Sequence, residues 1–234
     1  MKNIIILFLL AFCSNTIMAQ DFLDGANRFS SKKESYLTLK DGSEITGFIK
    51  DIDRKKGLIK EIELKVDGEK VKYKPEDVDF MYLMPSGFDK FARGYDNMFD
   101  ITELEKNRAL NEELIKEGYV YFETVDVKIK KKTKTLLMQL VNPGYDTKIK
   151  VYHDPFASES ASLGFGRLKV AGGHKKSYYV KKENEVAYKL KSKKYKKEWK
   201  NLFAECKKID KAFDGKMKWK NFSQHIHHFT TKCD

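Results

Sequence analysis

Closely spaced turn signals constrain the fold of this chain more than any other feature of its sequence. Asp41-Gly42 and Asp67-Gly68 are strong hairpin turns, because glycine supplies the positive φ that a two-residue turn needs. Lys55-Lys56-Gly57 is a further turn between them. Apolar and polar residues alternate between these turns, which is the two-residue period of a half-buried β-strand. The predicted strands are Tyr36–Leu39, Ile45–Lys50, Ile59–Val66, Val71–Tyr73 and Val78–Leu83.

Short strands separated by tight turns are typical of a small barrel or roll. The segment Leu39–Ile49 resembles the first hairpin of Sm-like and other SH3-like barrels, with Gly47 as the bend in the second strand. The resemblance extends over Tyr36–Leu83. It implies a closed N-terminal barrel and carries no function of its own.

A second series of alternating segments predicts another β unit at 119–190. Asn142-Pro143-Gly144 marks one of its turns, and Glu183-Asn184-Glu185 joins two strands as a hairpin. We expect these strands to form an antiparallel unit. Residues 86–118, between the two β series, have a helical pattern that stops at Gly118. The predicted strands of the second unit are 119–129, 135–141, 149–152, 164–170, 176–180 and 186–190.

After Leu190, apolar residues recur at helical spacing. One amphipathic helix begins near Tyr195, and a final helix ends near Phe229 after a break at Gly215. The two predict a C-terminal helical hairpin, so the expected fold class is α+β, mainly β. The predicted segments are a signal peptide at 1–19, an N-terminal tether at 20–34, the small β-barrel at 35–85, a helical connector at 86–118, the second β unit at 119–190 and the C-terminal helices at 191–234.

The first residues have the layout of a secretory signal peptide. Lys2 gives the positive start, Ile4–Phe12 is an unbroken apolar run, and Ala19 is the small residue before the expected cleavage. The run is shorter than the ~20 residues that cross a bilayer, so we expect export with no transmembrane span in the processed chain. Bulky Phe12 disfavours lipoprotein processing at Cys13, and a retained N-terminal anchor is a further alternative. The predicted location is the periplasm, the cell surface or the medium.

Cys206 and Cys233 remain after removal of the predicted signal peptide. In an oxidising compartment an even pair predicts a disulfide. The bridge would close a loop of about 28 residues and stabilise the fold by ~3 kcal/mol, mostly by restricting the unfolded chain. The alternative is a buried free thiol at Cys206 and an unpaired terminal thiol at Cys233.

The chain is strongly basic, with a formal net charge of +12. This favours an acidic partner, such as an envelope protein, an acidic glycan or a lipid headgroup, although a basic surface also serves solubility alone. Arginine is scarce, and paired readout of nucleic-acid bases prefers arginine. Export further disfavours nucleic acid as a partner. We expect the binding surface on the first C-terminal helix, at Lys193, Lys194, Lys196, Lys197 and Lys200.

The sequence carries no catalytic signature and therefore names no reaction. His225 and His228 have the i, i+3 spacing of helical metal ligands, but no second ligand group accompanies them, and a solvent-facing histidine patch is the simpler interpretation. The glycines at 164–173 lack the Gly-Lys-Ser/Thr continuation of a phosphate loop. We predict no metal, no cofactor and no catalytic residue. Whether the protein is an enzyme stays open, and a non-enzymatic protein is favoured.

The second half, over about 136–233, resembles secreted and envelope proteins of the Bacteroidota type. In that layout a strand and a central turn, here Leu140–Tyr152, precede a hairpin and lysine-rich helices that carry a cysteine. The resemblance rests on pattern and order. It implies an envelope protein and leaves the biochemical role open.

These features predict a secreted or periplasmic, non-enzymatic protein whose basic surface binds an acidic partner in the bacterial envelope. One alternative is a periplasmic hydrolase whose site is assembled from distant residues. A pocket holding two carboxylates, or a histidine beside a serine, would favour it. The other alternative is a binder of acidic glycan or lipid phosphate, for which binding would weaken steeply with salt.

Overall fold

The fold comes from a computed structural model, which describes residues 21–87, 110–158, 162–165, 168–172 and 175–233. The predicted signal peptide, its cleavage near Ala19 and most of the connector at 86–118 lie outside the described residues. These three expectations therefore stay predictions. Within the described residues the fold is α+β and mainly β, with a helical C-terminal region, as predicted.

Five strands precede the connector, and each overlaps a strand that the sequence predicts. They are β1 Glu34–Leu39, β2 Glu44–Lys55, β3 Leu58–Val66, β4 Glu69–Tyr73 and β5 Val78–Leu83. The short helix α1, Glu112–Lys116, leads into the second series of strands. These are β6 Val120–Ile129, β7 Lys132–Gln139, β8 Ile149–Tyr152, β9 Ser162–Phe165, β10 Leu168–Gly172, β11 Ser177–Lys182 and β12 Ala187–Lys191. The C-terminal helices are α2 Tyr195–Phe203, α3 Ile209–Ala212 and α4 Phe222–Lys232.

The prediction of a closed N-terminal barrel is wrong. The first strands are ordered β4-β3-β2-β1-β5, and β5 pairs with β6 instead of returning to β4. β7 pairs with β6 and also meets β3, where Ile59 lies opposite Leu137. The physical reason is the core, because Ile62 and Leu64 pack in one cluster with Val120 and Leu137. The N-terminal strands thus bury their apolar face with strands from the second series.

The second β unit is mixed, and the prediction of a wholly antiparallel unit is wrong. β12 runs parallel to β6, with Ala187 opposite Val127 and Tyr188 opposite Lys128. The other pairings, of β11 with β12 and with β8, are antiparallel. Parallel neighbours need a long connection, and the chain from β7 to β11 provides it. The single strand predicted at 164–170 is also wrong, because β9 and β10 pair as a separate two-stranded sheet.

Positive backbone angles confirm two of the predicted turns. Lys56 and Gly57 have φ of 53° and 77°, and Asp67 and Gly68 have φ of 50° and 93°. Each pair joins antiparallel neighbours as a two-residue turn. Gly57 meets a second requirement, since a Cβ at this position would come within 2.8 Å of Pro155. The β2–β3 turn is therefore packed against the loop that follows β8.

The C-terminal helices enclose an aromatic core that a disulfide fixes. Cys206 and Cys233 are bonded, which confirms the predicted pair, and their side chains are buried. The short α3 lies between the two helices that the sequence predicts. Trp199 and Phe229 are buried in the same cluster as the two cysteines. The helical region is therefore cross-linked through its own core.

The first described residues pack against this helical region. Ser223 on α4 donates a hydrogen bond to the carboxylate of Asp21 at 2.8 Å. The ring of Phe22 lies 5.3 Å from that of Phe222 and 5.1 Å from that of Tyr178. The segment before β1 is consequently held by contacts with the far end of the chain.

Candidate functional site

Helix α2 and the 3₁₀ turn before it carry the five lysines that the sequence singles out. Tyr195, Trp199 and Phe203 recur every four residues and are buried on one side of the helix. The lysines occupy the other side, as an amphipathic helix requires. We call this set the C-terminal lysine surface. Its members, all exposed, are Lys193, Lys194, Lys196, Lys197 and Lys200.

The C-terminal lysine surface has one acidic residue between its lysines, Glu198 on α2. None of the five lysine side chains forms an ion pair within the described part of the chain. Residues 191–233 hold thirteen lysines, all exposed, against four acidic residues. Three of those acids are engaged: Glu205 pairs with Lys182, Asp214 pairs with Lys216, and Asp210 accepts a hydrogen bond from the indole of Trp199. Most of the positive charge of this region is therefore directed at solvent.

A buried histidine helps to hold α2 in place. Nδ1 of His225 on α4 lies 2.6 Å from the hydroxyl of Tyr195 on α2, and both side chains are fully enclosed. Burial lowers the pKa of His225 to about 4, so the ring is neutral near pH 7. The prediction of a solvent-facing histidine patch is thus wrong for His225. Its ring belongs to an aromatic cage that includes Trp199 and Phe213.

Sequence reasoning missed a second group of lysines at the β6–β7 turn. β12 runs parallel to β6 and lies beside Lys128, so the end of β12 that leads into α2 points the same way as this turn. The two lysine groups therefore lie toward the same end of the sheet. The run of lysines is visible in the sequence, but its placement depends on a parallel pairing that no local pattern reveals. Its members, all exposed, are Lys128, Lys130, Lys131, Lys132 and Lys134.

A buried carboxylate organises the loop that follows β8. Oδ2 of Asp154 accepts a hydrogen bond from Ser177 Oγ at 2.6 Å and forms an ion pair with Lys189 Nζ at 2.7 Å. Oδ1 accepts a hydrogen bond from the amide of Phe156 at 3.2 Å, and the backbone oxygen accepts one from Ala157 at 2.9 Å. A buried charge requires such a cation and such hydrogen bonds. These contacts fix the loop after β8 against β11 and β12.

A polar groove of about 440 Å³ lies where β6 changes neighbours. β5 pairs with β6 as far as Glu123, and β12 begins to pair with it at Val127. Between them, the hydroxyl of Thr124 donates a hydrogen bond to the carbonyl oxygen of Val78 at 2.5 Å. The groove offers both signs of charge to a polar ligand. Its charged lining residues are Asp79, Asp126, Glu185, Lys40 and Lys181.

The described residues contain neither a metal-binding cluster nor a membrane-spanning helix. No three His, Cys, Asp or Glu side chains among them are grouped so that they could hold a metal ion. None of the helices in the described ranges is both long and apolar enough to cross a bilayer. Compared with protein-family models, with curated proteins and with solved structures, the chain matches none of them.

Proposed function

We propose that this chain is an exported, non-enzymatic protein of the bacterial envelope, of the Bacteroidota type, and that its C-terminal lysine surface binds an acidic partner. The observation that carries the proposal is the unmatched charge on α2 and the 3₁₀ turn before it, where five exposed lysines have no ion-pair partner among the described residues. Charge that the fold itself does not neutralise attracts anions and raises their concentration at the surface.

The packing beneath these lysines supports a binding role. Trp199 and Phe203 on the buried side of α2 pack edge to face with ring centroids 4.7 Å apart. The Cys206–Cys233 disulfide lies in the same core, directly after the end of α2. A rigid helix keeps its charges at fixed spacing and loses little conformational freedom on binding. Lysine acts as a hydrated point charge, so we expect contacts that are long-ranged and sensitive to salt.

The disulfide supports the export part of the proposal. Cys206 and Cys233 are bonded in a buried position. Such bonds form and persist in oxidising compartments and are rare in the cytosol. The layout of residues 1–19 points to the same compartment.

The test compares charge reversal on two surfaces of the tagged chain in its native host. One variant carries Lys193→Glu, Lys196→Glu and Lys197→Glu. We expect its association with the envelope fraction to fall at least tenfold, because each reversal replaces attraction of the acidic partner by repulsion. Mild crosslinking followed by purification identifies the partner from the unaltered chain.

The matched control places the same charge change in the N-terminal β region, with Lys33→Glu just before β1, Lys50→Glu on β2 and Lys65→Glu on β3. These three side chains are exposed, so the net charge falls equally while the C-terminal lysine surface is untouched. We expect the control to keep most of its association. Equal losses in the two variants would mean that net charge alone acts and that α2 is no binding surface.

The hydrolase alternative has less support from the geometry. Its nearest candidate is the groove beside β6, but Asp79, Asp126 and Glu185 are all exposed there. A general acid near neutral pH needs a carboxyl group whose pKa is raised by burial or by a close like charge. The buried Asp154 is held instead by an ion pair with Lys189 and a hydrogen bond from Ser177, and it does not line this groove.

A further inference from the structure

Phe156 is an apolar side chain held out in solvent by a rigid turn. Its side chain is 70% exposed, whereas the other exposed large apolar residues among those described are only 36–43% exposed. The turn is fixed from below by the buried carboxylate of Asp154, which binds the Phe156 amide together with Ser177 and Lys189. A single exposed apolar residue is ordinary, but a buried ion pair that holds it outward needs an explanation.

Lysines stand on one side of this turn. Pro155, directly before Phe156, packs against Gly57 at the tip of the β2–β3 turn. Lys55 and Lys56 precede Gly57 and are exposed. The apolar ring is therefore next to a basic turn that lies far away in sequence.

Exposed lysines also lie on the other side of the turn, on backbone segments that are hydrogen-bonded to the Phe156 loop and to each other. The amide of Lys176 donates to the carbonyl of Ser158 at 2.9 Å, which places Lys176 beside the end of the Phe156 loop. The carbonyl of Lys176 in turn accepts a hydrogen bond from the amide of Ser192 at 2.9 Å. Lys193 and Lys194, the first members of the C-terminal lysine surface, follow at once. Phe156 thus lies between two groups of exposed lysines.

We propose that this end of the molecule rests on an anionic lipid bilayer, with Phe156 inserted at the headgroup level and the flanking lysines on the lipid phosphates. This deepens the proposed function by naming its acidic partner, and it rests on that function. An aromatic side chain surrounded by lysines matches a bilayer surface, where apolar chains lie just beneath a layer of negative charge. A soluble polyanion would use the lysines and leave Phe156 in water.

The test places a fluorescent reporter at the proposed contact. Phe156→Trp in the full chain is mixed with vesicles of phosphatidylglycerol, and with vesicles of phosphatidylcholine as the uncharged comparison. With the anionic vesicles we expect the emission of the introduced indole to shift to shorter wavelength and to be quenched by brominated lipid. The signal of Trp199 and Trp219 is subtracted by means of the unaltered chain.

Phe48→Trp is the matched control, since Phe48 is an exposed phenylalanine on β2, away from this loop. Its emission should not respond to vesicles. Phe156→Ala should weaken binding to anionic vesicles about tenfold, and Phe48→Ala by less than about twofold, because only the first removes apolar area from the bilayer. Both positions are exposed, so the fold tolerates these changes.

Three results would overturn the proposal. The chain could fail to bind anionic vesicles, or the Phe156→Trp variant could bind them with its emission unchanged. Phe156→Ala could also weaken binding to a soluble acidic polysaccharide as strongly as binding to vesicles. In each case the charge reversals on α2 decide separately whether the proposed function stands.

Discussion

The N-terminal strands and the C-terminal helices use lysine differently. On the strands, Lys60 reaches Asp53 on the neighbouring strand at 2.8 Å, and Lys72 reaches Glu61 at 2.9 Å. On α2, the C-terminal lysine surface reaches no carboxylate within the described residues. Lysine content alone therefore does not identify a binding surface. What distinguishes α2 is charge that the fold leaves unmatched.

The two regions also differ in what holds them together. β1–β4 rely on strand pairing and on turns whose glycines take positive φ. The helices rely on aromatic rings packed edge to face and on one covalent bond. Each difference can be tested.

The largest effect should come from removing the disulfide. Replacing Cys206 and Cys233 by serine should lower the free energy of unfolding by about 3 kcal/mol, because the unfolded chain regains the freedom of a closed loop. Urea unfolding measures the loss. Hydrogen exchange should show faster opening in α2 and α4 and unchanged protection in β1–β4. Equal loss of protection in both regions would contradict the division drawn between them.

The next effect depends on pH. Burial lowers the pKa of His225 to about 4, while in the unfolded chain it is about 6.5. The unfolded state therefore binds a proton first as the pH falls, so stability is complete above pH ~6.5 and is lost toward pH ~4. Between pH 7 and 5 the loss should be about 2 kcal/mol. Unfolding measured across this range should show a shallower slope for His225→Gln than for the unaltered chain.

Burial also lowers the pKa of His228, so its contribution has the same sign. His228 is only partly buried, and His228→Asn should therefore keep most of the slope. If the pH dependence of stability persisted in His225→Gln and disappeared in His228→Asn, it would come from His228 instead of His225. If His225→Gln does not fold, the slope of the unaltered chain still tests the direction.

A smaller effect separates two turns in the N-terminal strands. Gly57→Ala should cost about 2 kcal/mol and Gly68→Ala about 1 kcal/mol, since both lose the ease of positive φ. Only at Gly57 does the new methyl group also meet Pro155. Denaturant midpoints of the two variants measure the difference. Equal losses of stability in the two variants would mean that the β2–β3 turn shifts to accommodate the methyl group without disturbing the Phe156 loop.

The smallest effects concern single surface lysines. Lys72→Ala breaks an exposed ion pair and should lower Tm by no more than about 2 °C, while Lys197→Ala should leave Tm unchanged. Envelope association should show the opposite order, with a loss for Lys197→Ala alone. A larger effect of Lys72→Ala on association would remove the contrast between matched and unmatched charge.

Local patterns predicted much of this fold. Turns such as Asp67-Gly68 and the helical spacing from Tyr195 to Phe203 depend on residues within a few positions of one another, and both are confirmed. The Cys206–Cys233 bond was also predictable, because few cysteines were available. The exposure of the C-terminal lysine surface follows from the same helical spacing.

Pairings between distant segments could not be predicted in this way. β5 pairs with β6, and β12 runs parallel to β6, because these strands bury their apolar side chains in shared cores. The residues around Val127 and Ala187 carry no local pattern that identifies the partner strand. The environment of Phe156 depends on Asp154 meeting Ser177 and Lys189, 23 or more residues away. A lone phenylalanine in a polar stretch carries no signal of that arrangement. Its position between two basic segments becomes visible only in the folded chain.

The hydrogen bond between Ser223 and Asp21 joins residues that are 202 positions apart. During synthesis the segment around Phe22 leaves the ribosome long before its neighbour Phe222. That segment stays unpacked and open to chaperones and proteases until α4 has been made. A chain arrested shortly before α4 would therefore lose contacts at both of its ends.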